Sequence, residues 1–175
     1  AIAEDIDILQ SANGEALRLG KTKTRALELI ADLNRSSELN QYEDQPIRVF
    51  VTTHKDVAKP KSRILQPVQV GLKPGSYRFP WAFHDDEGEN ISSKNPMYCE
   101  LTTQYWAWKN IDAEYYGFCH YRRYFDFSET EHRENAYGEI MDDYIDDAAA
   151  KRYGLDDVTI AMTLPPPDTV ICPRL

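Results

Sequence analysis

The chain has 175 residues, of which 42% are hydrophobic, and 20 basic against 29 acidic side chains give it a formal net charge of −9. One domain of this length withdraws roughly 70% of its unfolded surface from water, and 11 Tyr, 6 Phe and 3 Trp supply an aromatic core that an intrinsically disordered chain lacks. An acidic chain with a pI near 4.9 is a poor match for nucleic acid or an anionic membrane coat, since both are held by excess Lys and Arg.

No run of about 18 apolar residues is present, so no transmembrane helix is predicted. The start, Ala1-Ile2-Ala3-Glu4-Asp5, has neither the basic nor the apolar region of a signal peptide, and the missing initiator Met points to a segment of a longer polypeptide. Cys99, Cys119 and Cys172 are an odd number without metal-ligand spacing, which fits a reducing cytosol and excludes a structural zinc. The charge is uneven: residues 1–46 carry −4, 47–125 carry +3 and 126–157 carry −8. A basic middle segment suits an anion site or is a plain partition of surface charge.

In chain order, Leu17, Ala26, Leu27, Ile30 and Leu33 recur at helical steps within 14–40, and the polar stretch Ser36 to Pro46 reads as a linker. Residues 1–46 are therefore a helical appendage and 47–175 the domain. Ile47-Arg48-Val49-Phe50-Val51-Thr52 reads as a buried strand of a parallel sheet, with Thr53-His54-Lys55-Asp56 as its polar exit. Prolines, glycines and aromatics over 60–90 imply a long structured loop region with a short strand at Pro67 to Leu72.

Asn95-Pro96 is an N-cap and first-turn pair, followed by an apolar stripe of Met97, Leu101, Tyr105 and Trp108 that is assigned to the core. Tyr115 to Tyr121 reads as a second buried strand running into Arg122-Arg123-Tyr124-Phe125. An acidic helix is predicted from Glu129 to Arg152, closed by Gly154, with Asp142, Asp143, Asp146 and Asp147 on a solvated face. Asp168 to Cys172 reads as a last short strand.

The chemistry-bearing cluster is His120-Tyr121-Arg122-Arg123. Two guanidiniums at the carboxyl end of a strand suit a diphosphate, which they grip in bidentate geometry. Strand alternation places His120 and Arg122 on one face and Tyr121 with Arg123 on the other. With equal weight, both arginines form ion pairs with the acidic segment downstream. There is no Gly-rich phosphate loop, no G-x-S-x-G elbow and no H-E-x-x-H, and no Asp-x-Asp triplet occurs over 47–175. Asp126 is a weak metal candidate.

Four blocks carry a family resemblance: Ile47 to Lys55 (IRVFVTTHK), Pro67 to Gly71 (PVQVG), Gly88 to Asn110 (GENISSKNPMYCELTTQYWAWKN) and Tyr116 to Phe125 (YGFCHYRRYF). Together they resemble a bacterial capsular and exopolysaccharide biosynthesis family of glycosyltransferase-like proteins, long filed as a domain of unknown function. The resemblance implies an α/β, Rossmann-like nucleotide-diphospho-sugar transferase fold of the GT-A type, with a mixed, mostly parallel sheet. It implies transfer of a hexose from a nucleotide diphosphate sugar, a UDP-sugar in the first instance, to a glycan acceptor, in the cytoplasm or at the inner face of the membrane, alongside other polysaccharide-assembly enzymes.

On that resemblance Thr52, Thr53, His54 and Lys55 lie near the base or ribose. Asn90, Ser92, Lys94, Asn95 and Glu100 belong to the donor site, at a helix start where free N–H groups favour an anion. His120, Arg122 and Arg123 take the catalytic place that Asp-x-Asp and its divalent metal hold in other enzymes of this fold, stabilising the leaving diphosphate. The family's domain runs further than Leu175, so the fold is expected to be incomplete at its C-terminus and this fragment to hold the donor side, with transfer activity in the full-length parent. The alternatives are a degenerate nucleotide-binding fragment without transfer activity, and a non-catalytic glycan- or partner-binding module using Trp81, Trp106 or Trp108 as stacking platforms.

Overall fold

The computed structural model describes residues 38–166 and 169–172. The chain divides into two compact units, 1–41 and 42–175. The helix predicted over 14–40 lies almost wholly outside the described residues. Within the predicted linker, Tyr42 is not a solvated connector. It is buried, its ring tilts against Phe83 at 5.8 Å, and its carbonyl accepts from the Gln66 side chain.

Among the described residues four parallel strands build the second unit: β1 (Ile47–Thr53), β2 (Leu65–Gln69), β3 (Phe83–His84) and β4 (Tyr115–His120), in the spatial order β3-β2-β1-β4. β4, expected to be a second buried strand, has no buried residue, because it lies at the end of this order with a strand on one side only. β1 is central because it is apolar on both sides, as a strand covered on both faces must be. Val49 and Val51 face a cluster with Ile64, Leu65, Tyr121, Leu155 and Ile160. Phe50 faces the opposite way, onto Val68, Trp106 and Ala107. β2 starts two residues before the predicted Pro67 and ends at Gln69, because Val49 N–H reaches back to the Ile64 carbonyl and draws Leu65 into the ladder.

Among the described residues of the second unit the α-helices are α1 (Asn95–Tyr98), α2 (Leu101–Asn110), α3 (Asp147–Arg152) and α4 (Asp157–Met162). The single helix predicted from Asn95 is broken at Cys99, whose backbone adopts φ 47° and ψ −124°, a region that side-chain-bearing residues rarely occupy. Asn95 is the first residue of α1, not its cap. Its Nδ2 bridges the break, donating to the Cys99 carbonyl at 3.0 Å and to Thr102 Oγ1 at 3.1 Å.

The predicted apolar stripe is also on the wrong side of the helix. Met97, Leu101 and Trp108 are exposed, whereas Thr102, Thr103, Trp106 and Ala107 are buried. Small side chains let α2 lie close to the sheet, and the Thr52 hydroxyl donates to Thr103 Oγ1 at 3.0 Å across that contact.

The acidic helix forms only at its end. Residues 129–146 are irregular, with turns around Asn135 and Gly138, and α3 starts where Asp146 accepts from the Ala149 amide. The carboxylates are used for capping and pairing: Asp142 holds Arg152 at 2.7 Å and the Tyr153 hydroxyl at 2.9 Å, and Asp147 meets Lys61 at 3.0 Å. Gly154, at φ 62°, ends α3 as predicted, and the Leu155 amide returns to the Ala150 carbonyl across it. The predicted final strand is absent from the described residues 169–172.

α4 is short and depends on its cap. Asp156 accepts from the Val158 and Thr159 amides and from the Thr159 hydroxyl. Asp156→Ala is expected to cost about 1 kcal/mol in urea unfolding, because Ile160, which α4 delivers to the core, loses its anchor.

Candidate functional site

In this strand order the chain leaves β1 towards β2 and β3 on one side, then crosses to β4 on the other. Ligands of open parallel sheets bind beyond the carboxyl ends of the strands at such a reversal. Here the reversal lies between β1 and β4, and the residues that follow those strands are His54 and the Tyr121-Arg122-Arg123 turn. α2 runs back from the carboxyl edge, so its N-cap residue, Glu100, lies at the same place.

The geometry joins these groups. His54 and His120 have ring centroids 6.5 Å apart, and both pack on the Tyr121 ring, at 5.3 Å and 4.3 Å. His120 Nε2 lies 4.0 Å from Glu100 Oε1, and the Arg122 guanidinium sits 5.2 Å over the Tyr121 ring. Alternation does not continue past His120. The His120 and Arg123 backbones bond to each other in both directions, at 3.1 Å and 2.8 Å, folding 120–123 into a tight turn that exposes both arginines. Neither arginine has a carboxylate partner among the described residues, so the ion pairs with the acidic segment are not formed there.

His120 is half-buried. Burial lowers its pKa, the nearby Glu100 carboxylate opposes this, and Arg122, His54 and Arg123 add to the lowering. Its Nδ1 accepts from the Arg122 amide at 3.3 Å. Cys119, one residue earlier, has its thiol pushed up to about 12 by burial, which removes it as a nucleophile at neutral pH.

Other residues predicted for the site take different places. Thr52 and Thr53 are buried, with hydroxyls donating to Thr103 and to the Lys55 carbonyl, so both are engaged within the fold. Lys55 and Lys94 are exposed and have no ion-pair partner among the described residues. Asn90 organises its own loop, donating to the Asp86 and Gly88 carbonyls and accepting from the Ser92 amide. Ser92 is buried against Asp85, and Asn95 spans the helix break. Of the tryptophans, Trp106 is core, Trp81 stacks on Phe79 at 5.0 Å, and Trp108 is 67% exposed.

Asp126 does not fit a metal. Its Oδ1 accepts from the Ser128 amide and hydroxyl, and its Oδ2 is 2.7 Å from His132 Nδ1. His84, Asp86 and Glu87 also lie close together, but the Arg78 guanidinium bonds to all three and already supplies the positive charge.

Asp85, immediately after β3, carries no signal in the sequence. Its strand is two residues long, too short for periodicity to mark, and the carboxylate reads as part of an Asp85-Asp86-Glu87 charge run. It is fully buried, Ser92 Oγ donates to its Oδ1 at 2.7 Å, and Oδ2 has no hydrogen-bond partner among the described residues. Burial raises its pKa above the ordinary 3.8, while the Ser92 and Thr102 hydroxyls pull the other way. A carboxyl whose pKa is raised on folding binds its proton more tightly in the native state. Its contribution to stability therefore falls as pH rises from about 4 through the raised value. Asp85→Asn removes that dependence, so the variant is expected to gain relative to wild type between pH 4 and 7 in urea unfolding.

A parallel sheet with a cationic, histidine-bearing carboxyl edge at its strand-order reversal defines a Rossmann-like α/β domain of the GT-A type. The chain belongs to the family described as a domain of unknown function, DUF4422, which matches residues 48–173. A similar solved structure is an apo structure of WbbM, a bifunctional glycosyltransferase, 40% identical over 67% of this chain with a TM-score of 0.62. The match spans 21% of that longer chain. No functionally curated protein matches. Among the described residues no helix is long and apolar enough to cross a membrane.

Proposed function

We propose that this chain carries the donor site of a glycosyltransferase that moves a hexose from a nucleotide diphosphate sugar, UDP-linked in the first instance, to a glycan acceptor in surface polysaccharide assembly. The observation that carries this is the turn beyond β4. It holds two guanidiniums free of carboxylate partners among the described residues, next to His120 and His54 at the strand-order reversal. The likeness to a bifunctional glycosyltransferase supports the reaction class.

In such a transfer the bond from the anomeric carbon to the diphosphate oxygen breaks as the acceptor oxygen bonds to that carbon, the bonding pair leaves with the diphosphate, and the acceptor hydroxyl's proton passes to solvent. Negative charge then builds on the departing diphosphate. Arg122, Arg123 and an imidazolium at His120 are the groups of this chain placed to stabilise it, in the role a metal fills elsewhere. Calorimetric titration with UDP tests the donor site: binding at millimolar or tighter affinity is expected, and no heat at saturating UDP would sink it.

A second reading, a non-catalytic glycan- or partner-binding module, draws on the exposed α2 face of Leu101 and Trp108. Retention on polysaccharide without nucleotide affinity would favour it.

A further inference from the structure

His120 holds the arginine turn by an acceptor, and that fixes where its proton is. With Nδ1 receiving the Arg122 amide at 3.3 Å, the neutral ring carries its hydrogen on Nε2, on the side of Glu100. Adding a proton to Nδ1 turns this acceptor into a donor, so two N–H groups then point at one another and the contact opens. Two consequences follow together: the ring becomes an imidazolium, and the Arg122 amide loses its partner beside its own guanidinium.

We propose that His120 is a proton-operated latch on the arginine turn, pinning Arg122 when neutral and, when protonated, releasing it so that both donate to the donor's diphosphate. Resting on the donor-site reading, this means that donor binding takes up one proton. The charged and titratable groups around the ring set the balance. Glu100, from the start of α2, favours the protonated form; Arg122 and Arg123 on the turn and His54 beyond β1 oppose it, as does burial under Tyr121. A diphosphate beside the ring adds negative charge and reverses the majority. The guanidiniums cannot lose their protons, and so cannot account for an uptake.

UDP-glucose is a suitable probe because each of its phosphates, joined by one ester and one anhydride bond, keeps a single strongly acidic ionisation and does not titrate near neutral pH. Titrating the full chain by calorimetry near pH 7 in two non-oxyanion buffers of widely different ionisation enthalpy counts the protons exchanged. About one proton taken up is expected, with affinity falling by up to about tenfold per pH unit above the imidazole titration. His120→Asn, whose Oδ1 can still receive the Arg122 amide, is expected to bind more weakly and without uptake, whereas His54→Gln keeps the uptake. An imidazole resonance of His120 that moves to its protonated position on binding gives the same answer without a variant. Binding without proton uptake, or uptake that survives His120→Asn and vanishes in His54→Gln, overturns the latch and leaves the donor site standing. No binding at any pH overturns both.

Discussion

Phe50→Ala should lower the unfolding free energy by about 3–5 kcal/mol, a large share of the 5–15 kcal/mol ordinary for a domain. Phe50 is fully buried on the central strand and packs edge-on to Trp106 at 6.0 Å, stacked on Phe118 at 5.7 Å and against Val68. Removing the ring leaves a cavity between strands and helix that β1 and β4, hydrogen-bonded along their length, cannot close. The contrast with Trp108→Ala decides which face of α2 meets the sheet. Trp108 is largely exposed, so its loss should stay within about 0.5 kcal/mol. Urea midpoints for the two variants give the comparison, and equal losses would put the sequence-predicted stripe back in the core.

Arg122→Ala should weaken UDP-sugar binding by roughly 10- to 150-fold, corresponding to about 1.5–3 kcal/mol for a hydrogen-bonded charge. The side chain is exposed and lies over the Tyr121 ring, so folding should be little changed. Arg122→Lys separates charge from geometry. Lysine restores the point charge without the planar fork, so it should recover part of the affinity and leave binding more sensitive to salt. Full recovery by lysine would mean that the turn supplies only a diffuse positive field. Titration calorimetry at low and moderate ionic strength reads both.

The parts of the fold that could be read from sequence are those where neighbouring residues share one environment. Ile47 to Thr52 is mostly β-branched and apolar, so its place in a buried parallel strand is legible; Tyr115 to His120 beside it is legible as a strand but not in its burial, since it lies at the end of the strand order and none of its residues is buried. From two parallel strands the carboxyl edge follows, and with it the His120 to Arg123 cluster. Periodicity misled where a tertiary contact outweighed it. Met97, Leu101 and Trp108 are the more hydrophobic residues, yet threonine and alanine take the buried face because the helix must approach Phe50 and Thr52 closely.

The break at Cys99 was hidden because it depends on Asn95 reaching a carbonyl four residues on, a bond that composition does not announce. The acidic stretch before Asp146 failed as a helix because its carboxylates bond to turns, caps and Arg152 instead of lining one face. Arg122 and Arg123 were found by residue type, but their shared exposure was not, since it comes from a turn that interrupts strand alternation. Asp85 left no signal beyond a short charge run; only burial distinguishes it from its neighbour Asp86.

The proposed donor site has a nucleotide diphosphate bound at the carboxyl edge between β1 and β4. Amide shift mapping during UDP titration tests it most directly. The perturbed amides are expected to cluster at 53–55, 99–101 and 120–123. Perturbation centred instead on the Trp108 end of α2, or none at saturating UDP, would contradict it.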